Sequence, residues 1–67
     1  MAMSDTIIQI RTEKGLTQEQ MARDLFVTRQ AISRWETGET SPSIDMVKLI
    51  CVTYSISLER FFEMPAE

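Results

Sequence analysis

The segment TQEQMARDLFVTRQAISRWETG, residues 17–38, decides the fold because it predicts two short helices with almost nothing between them. Thr17 precedes the first helix, and Gln20 three residues later completes the signature of a capping box. Thr28 is the expected N-cap of the second helix, so only Phe26 and Val27 lie outside both helices and their caps. This connection is too short for an antiparallel hairpin of long helices and favours two helices that cross steeply.

A hydrophobic staple is expected at each of three predicted caps. In this motif a residue before the cap packs against one in the following turn and fixes the angle at which the chain enters the helix. Around the caps Thr17, Thr28 and Ser57, the expected pairs are Leu16 with Met21, Val27 with Ile32, and Ile56 with Phe61. Together with the short connection, this pattern predicts a helix-turn-helix unit at about residues 17–37.

The same signals predict five short helices, at about residues 5–14, 18–25, 29–37, 44–54 and 58–63. Ser4 and Ser43 are the remaining expected caps, and Gly15 and Gly38 stand where left-handed C-terminal residues are favoured. No alternation of period two is long enough to indicate a strand. We therefore expect one all-α domain over residues 1–67, with residues 64–67 reading as the start of a linker.

The helical spacing also predicts a single core. Its expected members lie on the inner faces of the helices and in the connections between them: Ile7, Ile10, Leu16, Met21, Ala22, Leu25, Val27, Ala31, Ile32, Trp35, Val47, Ile50, Cys51, Tyr54, Ile56, Leu58 and Phe61. Trp35 could act as a stacking platform for a base, but its helical spacing from Ala31 and Ile32 favours a core position.

The composition limits the chemistry that the chain can carry. Its 67 residues, 43% of them hydrophobic, suffice for one modest core. With one cysteine and no histidine, an internal disulfide cannot form and a metal site would need carboxylates alone. The chain also lacks a glycine-rich phosphate loop and a nucleophile paired with a base. We expect no metal, no cofactor and no enzymatic activity.

The charge distribution bears on the partner and the compartment. Seven basic and ten acidic residues give a net charge of −3, which argues mildly against nucleic-acid binding. Five of the basic residues nevertheless fall between positions 11 and 34: Arg11, Lys14, Arg23, Arg29 and Arg34. No signal-like segment and no run of about eighteen apolar residues occurs, so we expect a soluble cytoplasmic protein that does not enter membranes.

Residues 11–62, RTEKGLTQEQMARDLFVTRQAISRWETGETSPSIDMVKLICVTYSISLERFF, resemble a DNA-binding domain of the lambda repressor/Cro helix-turn-helix family, also called the XRE family. The resemblance rests on GLTQEQMA, VTRQAISRWETG, SPS and SLERFF at their present spacings. It implies a compact five-helix domain that binds an operator in double-stranded DNA, usually as a homodimer and usually to repress transcription.

The third predicted helix carries the candidate DNA-reading residues. Its polar residues lie opposite the apolar stripe that contains Trp35, and they are Arg29, Gln30, Ser33, Arg34 and Thr37. By itself, such a side would be ordinary solvent-facing surface. The resemblance implies instead that this helix enters the major groove and that Thr28, Arg29, Gln30, Ser33 and Arg34 face the DNA.

Side-chain chemistry separates the roles of these residues. Arginine can donate two hydrogen bonds to guanine and glutamine can pair with adenine, so Arg29, Gln30 and Arg34 are the candidates for direct base contacts. The hydroxyl of Ser33 can bond to more than one kind of base, so it is expected to be less selective. Thr28 and Thr37 are expected to contact the DNA backbone.

The second predicted helix is expected to bind phosphate. Thr17 and Gln18 stand at its N-terminus, where unpaired backbone N–H groups and the helix dipole favour an anion. Gln18 also matches the family's phosphate-binding glutamine.

The resemblance also leads to expectations at four further positions. It implies an ion pair between Arg11 and Glu36. Phe26 stands where the family's turn usually has a left-handed glycine, and the same geometry would cost about 1 to 2 kcal/mol, so we expect a slightly different turn. Glu39 occupies a loop where many relatives carry lysine or arginine, which predicts weak DNA binding by a monomer with a steep salt dependence.

The fifth predicted helix is the expected dimer contact. With Phe61 in the core, Phe62 and Met64 would form an exposed apolar patch for a second copy of the chain. The alternative is that Phe62 closes the edge of the core.

The leading hypothesis is a sequence-specific transcriptional regulator with repression as its expected role. One alternative is a protein-interaction module of the same fold, such as an antitoxin, although EMPAE after the fifth helix is short for a partner-binding segment. Another alternative is that the chain is the N-terminal domain of a larger regulator.

Overall fold

The computed structural model describes residues 3–63, which form five α-helices and no strand. They are α1 (Met3–Glu13), α2 (Gln18–Leu25), α3 (Arg29–Thr37), α4 (Ile44–Thr53) and α5 (Leu58–Glu63). Helix α3 packs against α1 and α2, whereas α4 packs against α2 and α5. None of the helices in this part of the chain is long and apolar enough to cross a membrane.

The helix N-termini follow the predicted caps, with one exception. The hydroxyl of Thr17 accepts a hydrogen bond from the backbone N–H of Gln20 at 3.0 Å, and Gln20 Oε1 accepts from the Thr17 N–H at 2.8 Å, which completes the capping box. The hydroxyls of Thr28, Ser43 and Ser57 each accept from the N–H three residues on. The prediction that Ser4 caps α1 is wrong, because α1 begins at Met3 and continues through Ser4.

Four helices end in the same hydrogen-bonding pattern. At the left-handed residues Gly15, Phe26, Gly38 and Ser55, the next residue donates its N–H to the carbonyl five residues earlier. This is the Schellman motif, in which the left-handed residue lets the chain turn back while the last carbonyls stay bonded. At residues 15, 26 and 55 an apolar residue and then a threonine or serine cap follow, so the next helix starts at once in a new direction.

The turn between α2 and α3 has the geometry that glycine usually provides. Phe26 has φ 60° and ψ 39°, which is the left-handed region, so the expectation of a different turn is wrong. The pattern is kept because the N–H groups of Phe26 and Val27 both bond to carbonyls of α2. Phe26 is 87% exposed, so its ring contributes almost nothing to the core. No burial of the ring therefore offsets the free-energy cost of the left-handed backbone.

The core contains every expected residue but one. The buried members are Ile7, Ile10, Met21, Ala22, Leu25, Ile32, Trp35, Val47, Ile50, Cys51, Tyr54, Ile56 and Phe61, with Leu16, Val27 and Ala31 partly buried against them. Met3, Met46 and Leu49 also pack against this core, and the helical spacing had not predicted them. The prediction that Leu58 belongs to the core is wrong, because its side chain is 45% exposed. Ile56 and Phe61 occupy the core positions near this short helix, which leaves Leu58 at the edge.

Two polar contacts tie the helices together across the core. The Tyr54 hydroxyl donates to Asp24 Oδ2 at 3.0 Å and joins the end of α4 to α2. Burial, followed by the hydrogen bond to Asp24, raises the pKa of Tyr54 above its usual value, so the phenol stays protonated. The second contact is an ion pair from Arg11 in α1 to Glu36 in α3, with Nε and Oε2 at 2.6 Å.

We predict that the Arg11–Glu36 pair makes a large contribution to stability. Arg11→Met should lower the free energy of unfolding by about 3 kcal/mol, because Glu36 is only 7% exposed and would lose its countercharge. Adding Glu36→Gln should restore about half of that loss, since the stranded charge disappears. Urea unfolding measures both values.

Arg23→Met is the matched control, because the Arg23–Glu19 pair is about three-quarters exposed on both sides. It should change the free energy of unfolding by less than about 0.5 kcal/mol. A double variant no more stable than Arg11→Met alone would contradict the assignment.

Candidate nucleic-acid interface

Helix α3 has one buried face and one open face. Ile32 is fully buried and Trp35 is 7% exposed, so these residues hold the helix against the rest of the domain. The Trp35 ring therefore lies in the core and offers no platform for a base. On the other side, Arg29, Gln30, Arg34 and Thr37 are exposed and Ser33 is partly buried. All five polar residues that the sequence pattern placed opposite the apolar stripe thus remain accessible on one helix.

The charge on this face is positive and uncompensated. Among residues 3–63, neither Arg29 nor Arg34 forms an ion pair with a carboxylate. Their guanidinium groups keep all their N–H donors for a ligand, and arginine presents these donors in a planar fork that suits guanine or phosphate. The acidic residue of α3, Glu36, is already held by Arg11.

The environment of Glu36 connects three helices at the edge of this face. Arg11 contacts both carboxylate oxygens, through Nε at 2.6 Å and Nη2 at 3.2 Å, and its Nη1 donates to the Leu16 carbonyl at 2.9 Å. Gln18, the first residue of α2, donates its Nε2 to Glu36 Oε1 at 3.0 Å. The structure therefore contains the ion pair that the family resemblance implies, with Gln18 as a third member.

Gln18 consequently has a structural contact where a phosphate contact was expected. Its side-chain amide is partly buried and is hydrogen-bonded to Glu36, which orients the start of α2 relative to α3. An amide nitrogen has two hydrogens, so one remains for a phosphate oxygen after this bond is made. The backbone N–H groups of the first turn of α2 lie beside it and have no partner within the helix.

The two threonine caps border the same face. Thr17 and Thr28 are exposed, and each hydroxyl oxygen accepts a backbone N–H of its own helix. A hydroxyl that accepts at a cap can still donate its own hydrogen, so both residues suit a phosphate oxygen. Thr37 at the other end of α3 donates its hydroxyl to the Arg34 carbonyl, which uses that hydrogen within the helix.

Two exposed apolar features go beyond the residues that sequence reasoning had named. One is Phe26, the C-cap residue of α2, which precedes the first residue of α3 by three positions. The other, here called the α4–α5 surface, comprises the side chains of Ile44, Val52, Leu58 and Phe62 on α4 and α5, which are between 45% and 78% exposed. Of these four, sequence reasoning had proposed an exposed position only for Phe62. The spacing of four residues between Leu58 and Phe62, and of eight between Ile44 and Val52, was the available signal.

This α4–α5 surface contains a groove of about 360 Å³ lined by Lys48, Cys51, Val52, Ile56 and Leu58. Phe62, one of the two expected dimer residues, lies on the surface, and its ring meets the edge of the buried Phe61 with centroids 5.3 Å apart. The other expected residue, Met64, lies outside the described residues. Burial raises the pKa of the Cys51 thiol, which therefore behaves as a small apolar residue.

The helix-turn-helix family model matches residues 7–61 of the chain. The HTH-type transcriptional activator BcrR of Enterococcus faecalis is 41% identical over 60 residues, which cover 90% of this chain and 29% of BcrR. The antitoxin PezA of Streptococcus pneumoniae is 33% identical over 51 residues, which cover 76% of this chain and 32% of PezA. The chain thus spans less than a third of the length of either relative.

A solved structure has the same fold. It is the crystal structure of a mutant of the restriction-modification controller protein C.Esp1396I, with a TM-score of 0.80 and 39% identity, covering 92% of this chain and 80% of that chain. This similarity confirms the predicted all-α fold of five helices. The family and relatives that the chain matches are transcription regulators, which also confirms the prediction that the chain is not an enzyme. The chain belongs to the helix-turn-helix (XRE) family and is a DNA-binding domain of the type found in HTH-type transcription regulators.

Proposed function

We propose that the chain is a sequence-specific regulator that reads the major groove of operator DNA with α3, the helix that follows the Thr28 cap. The observation that carries the proposal is the open face of α3. Arg29, Gln30 and Arg34 are exposed there, while Ile32 and Trp35 fix the opposite side of the helix in the core. A rigid helix with unpaired arginines has the shape and the donors that a major groove accepts.

Each residue of the face then has a role that follows from its chemistry. Arg29 and Arg34 donate to guanine O6 and N7, and Gln30 pairs with adenine N6 and N7. Ser33 is partly buried and has a short side chain, so its hydroxyl contacts only a base edge that comes close to α3.

Phosphate contacts position the helix without reading sequence. Thr17 and Gln18 at the start of α2, and Thr28 at the start of α3, hold phosphates with their remaining donors and with helix N-terminal N–H groups. Thr37, at the far end of α3, would donate to a phosphate only by releasing its hydroxyl hydrogen from the Arg34 carbonyl. Glu39, exposed directly after α3, repels phosphate, so a single copy binds weakly and the affinity falls steeply with salt.

Two copies acting together would compensate for this weakness. We infer that the α4–α5 surface is the contact between them, because it gathers four of the five large exposed hydrophobic side chains of the described residues and lies on helices other than α3. Lys48 on α4 and the carboxylates Glu59 and Glu63 on α5 are also exposed, so both signs of charge are available on these helices for pairs between two copies. The two α3 helices would then meet half-sites about 34 Å apart.

A second candidate function follows from the relative that is named an antitoxin, PezA. In that case the α4–α5 surface would hold a different protein chain instead of a second copy.

Another candidate follows from the length of the relatives, since BcrR and PezA are more than three times as long as the region that matches this chain. The chain would then be the DNA-binding domain of a larger regulator. In either form we place it in the cytoplasm, where the operator is.

The sign of the regulation depends on the operator's position. The family resemblance favours repression, whereas the relative BcrR is named an activator. A bound dimer represses when its site overlaps a promoter and can activate from a neighbouring site. The proposal therefore concerns operator reading, with repression as the expected role.

We predict that a binding selection from random DNA at two salt concentrations recovers an inverted repeat. Arg29→Ala and Gln30→Ala should each weaken binding to that repeat by about 10- to 100-fold and relax one base preference per half-site. Arg60→Ala on α5 removes the same charge as Arg29→Ala, and it should leave the recovered sequence unchanged. Recovery of no sequence at either salt concentration would contradict the proposal and favour the protein-binding alternative.

We predict that the α4–α5 surface joins two copies in solution or on DNA. Val52→Glu and Phe62→Glu should each shift the monomer–dimer balance toward monomer, because a charge would enter the apolar contact. Analytical ultracentrifugation over a concentration series, with and without the operator, measures the balance. Phe26→Glu makes the same change at the exposed aromatic of the turn between α2 and α3, and it should leave the dimer measured without the operator intact. An unchanged balance in Val52→Glu would contradict the assignment.

A further inference from the structure

Phe26 combines two unfavourable features that folding does not explain. Its backbone is left-handed at φ 60°, which is costly for a residue with a Cβ, and its ring is 87% exposed. Gly15 and Gly38 provide the same geometry elsewhere in the chain without this cost. A glycine at position 26 would thus serve the fold better, so the aromatic ring has another use.

The surroundings of Phe26 are those of a nucleic-acid contact rather than an apolar docking site. The other large exposed hydrophobic residues among positions 3–63 all lie on α4 and α5, so the ring stands alone on the α2–α3 side. Arg23 precedes it by three residues and Arg29 follows it by three, and both are exposed. The nearest carboxylate in sequence, Asp24, accepts a hydrogen bond from Tyr54. An exposed aromatic ring with an exposed arginine three residues before it and another three residues after it suits a polyanion with apolar groups in its grooves.

The position of the ring is fixed relative to α3. The Phe26 and Val27 N–H groups bond to carbonyls of α2, and the cap Thr28 follows at once. No flexible residue separates the ring from the helix that reads the DNA. Only Val27 and Thr28 lie between Phe26 and Arg29, so the ring is held close to the end of α3 that would enter the major groove.

We propose that Phe26 is a specificity-determining residue whose ring packs on the 5-methyl group of a thymine beside the bases that Arg29 and Gln30 read. This inference rests on the proposed DNA-reading function. The thymine methyl is the apolar group that bases offer in the major groove, and phenylalanine is one of the side chains that contact it. The site would therefore prefer thymine at one position in each half-site, without any hydrogen bond to that base.

The test replaces thymine by deoxyuridine, which removes the methyl group and leaves every hydrogen bond unchanged. Each thymine of the operator recovered by selection is replaced in turn, at the equivalent position of both half-sites, and dissociation constants are measured for the wild type, Phe26→Gly and Phe26→Ala. One replacement per half-site should weaken wild-type binding by about 3- to 10-fold. The same replacement should leave both variants unaffected.

The variants also separate loss of contact from loss of folding. Phe26→Gly should melt at a higher temperature than the wild type, because glycine adopts the left-handed conformation freely, and yet bind the thymine operator more weakly. Phe26→Ala keeps the backbone strain and should bind as weakly as Phe26→Gly. Arg29→Ala, measured on the same DNA, should retain the sensitivity to the methyl group although its affinity is lower.

The outcomes distinguish this inference from the function on which it rests. Wild-type binding that no deoxyuridine weakens, equal sensitivity in Phe26→Gly, or a recovered half-site without thymine would overturn the role of Phe26 and leave operator reading intact. Failure of the wild type to bind any recovered sequence would overturn both proposals.

Discussion

The position of α3 in the fold depends on the buried carboxylate of Glu36. Arg11 from α1 neutralises it with two hydrogen bonds, and Gln18 from the start of α2 donates a third. One side chain of α3 therefore fixes the angle of the helix relative to both elements behind it. A carboxylate on α3 would otherwise repel the phosphates that the neighbouring arginines attract, so the same contact that orders the fold also suits the face to DNA.

The steep helix crossings come from a short connection that recurs along the chain. A left-handed residue ends one helix, an apolar residue enters the core or its edge, and a threonine or serine caps the next helix, as in Gly15-Leu16-Thr17 and Phe26-Val27-Thr28. In these two connections the backbone N–H groups of Gly15, Leu16, Thr17, Phe26 and Val27 all have hydrogen-bond partners. The start of α3 is held by the Thr28 cap as well as by the buried side chains of Ile32 and Trp35.

The caps, the helices and most of the core were predictable from the sequence because each depends on local chemistry. Thr17 with Gln20 signals a capping box wherever it occurs, and Ile32 with Trp35 marks a buried stripe. Errors arose where the outcome depends on packing between helices: Leu58 satisfies the apolar pattern, but Ile56 and Phe61 already fill the nearby space. For Phe26, local preference pointed away from the left-handed turn, and the hydrogen bonds to α2 determined it instead. The candidate site was predictable as a face of α3, whereas the bond from Gln18 to Glu36 required knowledge of how α2 and α3 lie together.

If α3 reads the major groove, guanine N7 is the atom at which to test it, because N7 is accessible only from that groove. Treating the selected operator with dimethyl sulfate methylates N7, and separating bound from free DNA reveals which methylated guanines prevent binding. We expect two clusters of interfering guanines, about one helical turn apart, with one guanine in each cluster losing its effect in Arg29→Ala. Binding that tolerates methylation at every guanine of the operator would show that α3 does not read the major groove.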